Sequence, residues 1–302
     1  MVKSIHNLAQ DKTQTQSPLT APAASKRQRS KETMLKTLPS LFTLGNLISG
    51  FGAIFYASLH LIKTAQSNGS SHNELSIAAF LIFLGMIFDA FDGRIARLTG
   101  QTSEMGEQLD SMADMVTCGV APAFLAYALI RSLVQFETPF FGSVEKIDQY
   151  LGRLTFVIAA IYVSCTALRL ARFNAEIQNP EEADHMSFKG LPSPGAAGTI
   201  SSLVILHQHL QKGASVGLEK TIAITMIAIT LLTAFAMVSN IRYTHFVNKF
   251  ISGNKPIQSI AIVLAVLGSL AVFFSWTLAI ACIFYACYAP AAALYRRAFK
   301  SP

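Results

Sequence analysis

The 302-residue chain is 52% hydrophobic and 14% charged, with a mean hydropathy of +0.42, which excludes an ordinary soluble domain and predicts a polytopic membrane protein. Its net charge of +7 would suit a nucleic-acid binder, but the basic residues fall in the N-terminal stretch and between apolar runs, so membrane orientation accounts for them and no nucleic-acid partner is expected. Cys118, Cys165, Cys282 and Cys287 all lie in apolar runs without metal-ligand spacing, which predicts buried free thiols and no disulfide framework.

Residues 1–33 are rich in Gln, Ser, Thr, Pro, Lys and Arg and contain no apolar run, so they read as a disordered basic cytoplasmic tail and not as a signal peptide. Residues 34–302 read as one all-α domain, a polytopic transmembrane helix bundle. Eight spans are expected, at roughly 40–63, 75–98, 107–133, 152–173, 192–210, 220–239, 257–274 and 277–295. With the N-terminus in the cytoplasm, the inner segments from Lys26 onward carry sixteen Lys and Arg residues and the outer ones six, the asymmetry of a cytoplasmic N-terminus. The first span opens with Thr43 and Asn46, three residues apart, either able to hydrogen-bond a phosphate or nucleotide, or a neighbouring helix.

The second and third spans carry the chemistry. Asp89 follows thirteen uncharged residues, Ser76 to Phe88, and Asp92, Asp110 and Asp114 follow it within or beside apolar runs. On helices, Asp89, Asp92 and Ala96 share one face, and Gly106, Asp110 and Asp114 share another. Two helices joined by a short loop pack antiparallel, so these faces converge. An aspartate at a membrane helix centre costs about 2.5–3.5 kcal/mol to insert, so four would cost roughly 10–14 kcal/mol without cations. Oxygen-only donors favour magnesium or manganese, and four carboxylates balance two divalent ions, an arrangement that acts on phosphates. Gly93 and Gly106 leave room for a substrate or a partner helix near the backbone. Pairing of the aspartates with Arg94, Arg97, Arg169 and Arg172 would be a purely structural use, but the repeat of aspartates and small residues at four-residue spacing is more than ion pairing requires.

The fourth span ends with Arg169 and Arg172, one turn apart, suited to a phosphate or carboxylate or to snorkelling at the interface. Beyond a polar loop, Lys189 precedes Pro192-Ser-Pro194, prolines that start a helix with its amides free. The last spans carry aromatic residues suited to lipid contact, among them Trp276, Tyr285 and Tyr288.

The run D-x2-D-G-x2-A-R-x8-G-x3-D-x3-D from Asp89 to Asp114 resembles, without a gap or substitution, the signature of the CDP-alcohol phosphatidyltransferases. These are integral membrane enzymes that replace the CMP of a CDP-activated lipid with an alcohol. The resemblance implies that Asp89, Asp92 and Asp110 bind metal, that Asp114 is the base and a further ligand, and that Gly93, Ala96, Arg97 and Gly106 shape or contact the CDP moiety. It also favours Thr43 and Asn46 as part of the CDP site. The segments around Arg169 and Lys189 look like those of the phosphatidylserine synthase branch, many members of which carry three alanines where this chain has Gly195-Ala-Ala. The expectation is therefore transfer of the phosphatidyl group of CDP-diacylglycerol to L-serine, with two Mg2+ or Mn2+ ions. Arg169, Arg172 and Lys189 would receive the serine or its phosphate partner. Glycerol phosphate and inositol phosphate are the alternative acceptors. An ion-coupled transporter would show inverted repeats and broken helices, which the sequence lacks. The expected setting is a bacterial inner membrane, with the site facing the cytoplasm and membrane lipids around it. Dimers are common in the family, so a homodimer is compatible with this reading.

Overall fold

A computed structural model describes residues 26–66, 73–99, 104–134, 144–178, 190–210, 216–241, 268–269 and 272–299. Residues Met1–Thr37 and Leu38–Pro302 form separate compact units, and the second holds the helices that carry the chemistry. Every element among the described residues is helical: α1 Lys26–Gln66, α2 Glu74–Thr99, α3 Glu104–Asp114, α4 Ala121–Val134, α5 Val144–Gln178, α6 Ser193–Leu210, α7 Val216–Val238 and α8 Phe274–Phe299. The first helix starts at Lys26, inside the stretch expected to be tail, and residues 1–25 lie outside the description.

Six helical stretches are long and apolar enough to cross a membrane: Ser40–Gln66, Glu74–Ile95, Met105–Leu133, Gly152–Ala175, Thr221–Val238 and Phe274–Ala291. They coincide with six of the eight expected spans, and the chain is an integral membrane protein. The expected span at 192–210 is helical as α6, but its serines, threonine and histidines leave it less apolar than the others. The reason is its place: α6 packs against α2, α4, α7 and α8, so protein covers most of its surface. Most of the expected span at 257–274 lies outside the described residues.

The third span is not one regular helix. A π-helical turn, Met115–Val120, joins α3 to α4, and the Ala121 N–H donates to the Val116 carbonyl five residues back. Pro122 has no N–H to offer the Cys118 carbonyl four residues before it, which would leave a buried acceptor without its helical partner. The Tyr162 hydroxyl of α5 donates to that carbonyl at 3.1 Å. Around this turn the core is built largely of small residues, among them Ala78, Ala79, Ala121, Ala126 and Ala197, which let helix backbones approach closely. Lys63 and Glu74 form an ion pair between the end of α1 and the start of α2.

The cysteines are all free, but only Cys118 and Cys165 are buried as expected; Cys282 is half-buried and Cys287 is exposed. Phe273, Phe274, Trp276 and Tyr288 are exposed on the outside of the bundle. His207 is buried in the bundle beside His60.

Candidate active site

The C-terminal half of α2 and the second half of α3 bring three carboxylates together. Asp89, Asp92 and Asp110 each offer an oxygen, and these oxygens all lie within 4.8 Å of one another. The i, i+3 spacing on α2 sets the first two side by side, and the antiparallel return of the chain delivers the third. The Asp92 carboxylate accepts hydrogen bonds from the Thr43 hydroxyl of α1 and from the Gly93 N–H. Its Oδ2 and the Oδ1 of Asp110 are buried without a hydrogen-bond partner. Among the described residues none of the four aspartates is ion-paired with an arginine, and the Arg97 side chain lies outside them.

Like charges this close, with oxygens that no protein donor reaches, are an unfavourable arrangement unless a cation fills it. The donor set fits a hard divalent ion, since it is all oxygen and carries three negative charges. Asp114, one turn beyond Asp110, is outside the triplet but faces Asp89, Asp110 and Asp92. Its Oδ1 accepts a hydrogen bond of 3.1 Å from the Asn46 side-chain amide of α1.

A second polar group lies at the end of α5. The Arg169 guanidinium donates to the Ser193 hydroxyl at the start of α6, at 3.0 Å, and is within electrostatic reach of the Tyr285 ring of α8. Arg172 reaches Asn240 just after α7, at 3.4 Å. The start of α6 is fixed by the chain before it. The Gly190 N–H donates to Ile241 and the Leu191 N–H to Ala236, each at 2.9 Å. Gly190 has φ of +91°, a conformation that favours glycine. Asn174 ties this group to the carboxylates: it exchanges hydrogen bonds of 3.2 and 3.0 Å with Ser111, the residue after Asp110.

Three carboxylates from successive membrane helices, with a fourth one turn beyond Asp110, form a cluster able to hold a metal ion, and comparison with known proteins identifies the family. The CDP-alcohol phosphatidyltransferase profile matches residues 36–288. The chain belongs to the CDP-alcohol phosphatidyltransferase family. It is 32% identical over 214 residues to a Helicobacter pylori protein named CDP-diacylglycerol–serine O-phosphatidyltransferase, covering 70% of this chain and 73% of that one. A Bacillus subtilis protein of the same name is 33% identical over 210 residues, 69% of this chain and 90% of the relative. The Saccharomyces cerevisiae protein so named is 36% identical over 152 residues, 49% of this chain and 47% of its own.

In this transferase the residues singled out in the sequence fall into three groups. Asp89, Asp92, Asp110, Asp114, Thr43 and Asn46 are brought into one cluster. Gly93 and Gly106 flank it on α2 and α3, whereas the side chains of Ala96 and Arg97 and the whole of Lys189 lie outside the described residues. Arg169 and Arg172 stand apart from the carboxylates, joined to them through Asn174 and Ser111. No site role was expected of Ser111, Asn174 or Ser193, and Tyr285 was expected at lipid, whereas its ring lies against Gly195 and within electrostatic reach of Arg169. Only Asn174 gave a signal, as the polar end of the segment that carries both arginines. The glycine that departs from the three-alanine pattern also has its reason here: a Cβ on Gly195 would lie 2.7 Å from the Tyr285 ring.

Proposed function

We propose that this chain transfers the phosphatidyl group of CDP-diacylglycerol to L-serine, giving phosphatidylserine and CMP, in a bacterial cytoplasmic membrane with the carboxylates toward the cytoplasm. The observation that carries the reading is the convergence of Asp89, Asp92 and Asp110 with buried, unpartnered oxygens in a member of this family. The relatives named for this reaction support the acceptor. The excess of cytoplasmic Lys and Arg supports the orientation.

Asp89, Asp92 and Asp110, with Asp114 on the far side, would hold two magnesium or manganese ions. Bound there, such ions supply charge neutralisation of the diphosphate and of the departing CMP. Gly93, Ala96, Arg97 and Gly106 line the place of the CDP moiety, beside Thr43. Arg169, Arg172 and Lys189 provide positive charge for the serine carboxylate or the lipid phosphate. The Asp114 carboxylate takes the proton of the serine hydroxyl as its oxygen bonds to the lipid-side phosphorus, and the bond from that phosphorus to the CMP oxygen breaks. The proton ends on Asp114 and the electron pair leaves with CMP.

Purified protein given CDP-diacylglycerol, a divalent metal and serine should release CMP, and chelation of the metal should abolish the release. If glycerol phosphate or inositol phosphate supports CMP release and serine does not, the acceptor is wrong.

A further inference from the structure

Asn46 was expected to touch the nucleotide, but its surroundings point elsewhere. Its side chain is 0% exposed, so no face of it is open to a ligand. The amide nitrogen donates to Asp114 Oδ1 at 3.1 Å. This orientation of the amide is the one a carboxylate requires, since the reverse would set two acceptors against each other. Oδ1 of Asn46 then faces α2 at Gly85, where a Cβ would come within 2.8 Å of it.

The backbone of Asn46 is held as well. Thr117, in the π-helical turn that follows Asp114, donates its hydroxyl to the Asn46 carbonyl at 2.9 Å, in a fully buried contact. Two glycines make room for Thr117: a Cβ on Gly50 of α1 would lie 2.4 Å from its Oγ1, and one on Gly85 of α2 would lie 2.6 Å from its Cγ2. Thus the segment carrying Asp114 grips α1 at Asn46, and Asn46 grips Asp114 in return. A carboxylate has two oxygens, and a fixed donor on Oδ1 leaves Oδ2 as the one free to take a proton.

We infer that Asn46 is a positioning residue for Asp114, holding Oδ1 so that Oδ2 is presented to the acceptor hydroxyl, with Thr117 fixing Asn46 in turn. This rests on the reading of Asp114 as the base, and is separable from the choice of acceptor because CMP release reports turnover with any acceptor that works. A positioning residue acts on the chemical step, whereas a nucleotide contact acts on binding.

The test is steady-state CMP release as a function of CDP-diacylglycerol concentration for Asn46→Ala and Thr117→Val, with the wild type as reference. Loss of a hydrogen bond to a charged group predicts that Asn46→Ala lowers kcat about ten- to hundredfold, with KM for CDP-diacylglycerol within about threefold of the wild type. Thr117→Val keeps the side-chain shape and removes only the hydroxyl, and should lower kcat about threefold or more with KM again unchanged. If Asn46→Ala does not fold, Thr117→Val alone decides. A rise in KM with kcat preserved would make Asn46 a nucleotide contact and overturn the proposal. Unchanged kcat and KM, with a lowered melting temperature, would make it a packing residue and overturn it equally. A wild type active only with an acceptor other than serine would refute the acceptor while leaving the Asn46 test intact.

Discussion

Two polar regions lie inside this bundle, and they are satisfied in opposite ways. Along α6, Thr199 donates to the Gly195 carbonyl at 2.8 Å and Ser202 to the Thr199 carbonyl at 2.9 Å, so the hydroxyls close on their own helix. The Thr199 hydroxyl also lies 3.3 Å from the Cys282 carbonyl of α8, Ser193 accepts from Arg169, and Ser201 and the His207 ring nitrogens have no partner among the described residues. At the junction of α2 and α3, Asp92 Oδ2 and Asp110 Oδ1 have no such recourse. A hydroxyl carries a proton and finds an acceptor on the preceding turn, whereas an ionised carboxylate only accepts, and these two oxygens meet no donor. Buried hydroxyls on a membrane helix therefore speak for packing, and buried carboxylates for a ligand.

The sharpest way to break that contrast is to neutralise the carboxylates one at a time. Asp89→Asn and Asp110→Asn should each lower turnover by about 10³-fold or more and weaken metal-dependent binding of CDP-diacylglycerol. Asp114→Asn should lose turnover to a similar degree while binding persists. Calorimetric titration of CDP-diacylglycerol with and without divalent metal separates the two outcomes. Equal loss of binding in all three variants would make Asp114 a ligand first and remove its separate role.

A smaller effect is expected where the backbone supports the second region. Gly190 precedes α6 with φ of +91°, and a Cβ there would lie 2.2 Å from the Met237 carbonyl oxygen. Gly190→Ala should destabilise the fold by about 3 kcal/mol or more, through strain and through collision with backbone that has little room to yield. Gly195→Ala meets the Tyr285 ring, a side chain that can turn, and more loosely Leu191 at 3.4 Å, and should cost about 1–3 kcal/mol. Thermal melts of both variants in detergent would rank them, and the reverse order would show that the start of α6 tolerates rearrangement better than α8 does.

The smallest effect belongs to the hydroxyls themselves. Ser202→Ala removes one self-satisfied donor and should change stability by about 1 kcal/mol or less, with CMP release within about twofold of the wild type. A loss of activity near that of the aspartate variants would mean that the α6 hydroxyls serve the site and that the contrast between the regions is false.

Much of this was already legible in the sequence. The chain's membrane character, six of its spans and the face-sharing of Asp89 with Asp92 and of Asp110 with Asp114 follow from apolar run length and helical periodicity, which are local properties. So did the convergence of the two acidic faces, because a short connection leaves adjacent helices few ways to pack. Which residues serve that cluster was decided by tertiary structure alone. Asn46 and Asp114 are 68 positions apart and Ser111 and Asn174 are 63 apart, separations at which no periodicity carries information. The same holds for Gly50 and Gly85, which read as ordinary membrane-helix glycines until Thr117 is set between them. The π-helical turn was hidden for a related reason: Pro122 announces a missing donor, but only the Tyr162 hydroxyl, arriving from another helix, makes the vacated carbonyl tolerable in a dry core.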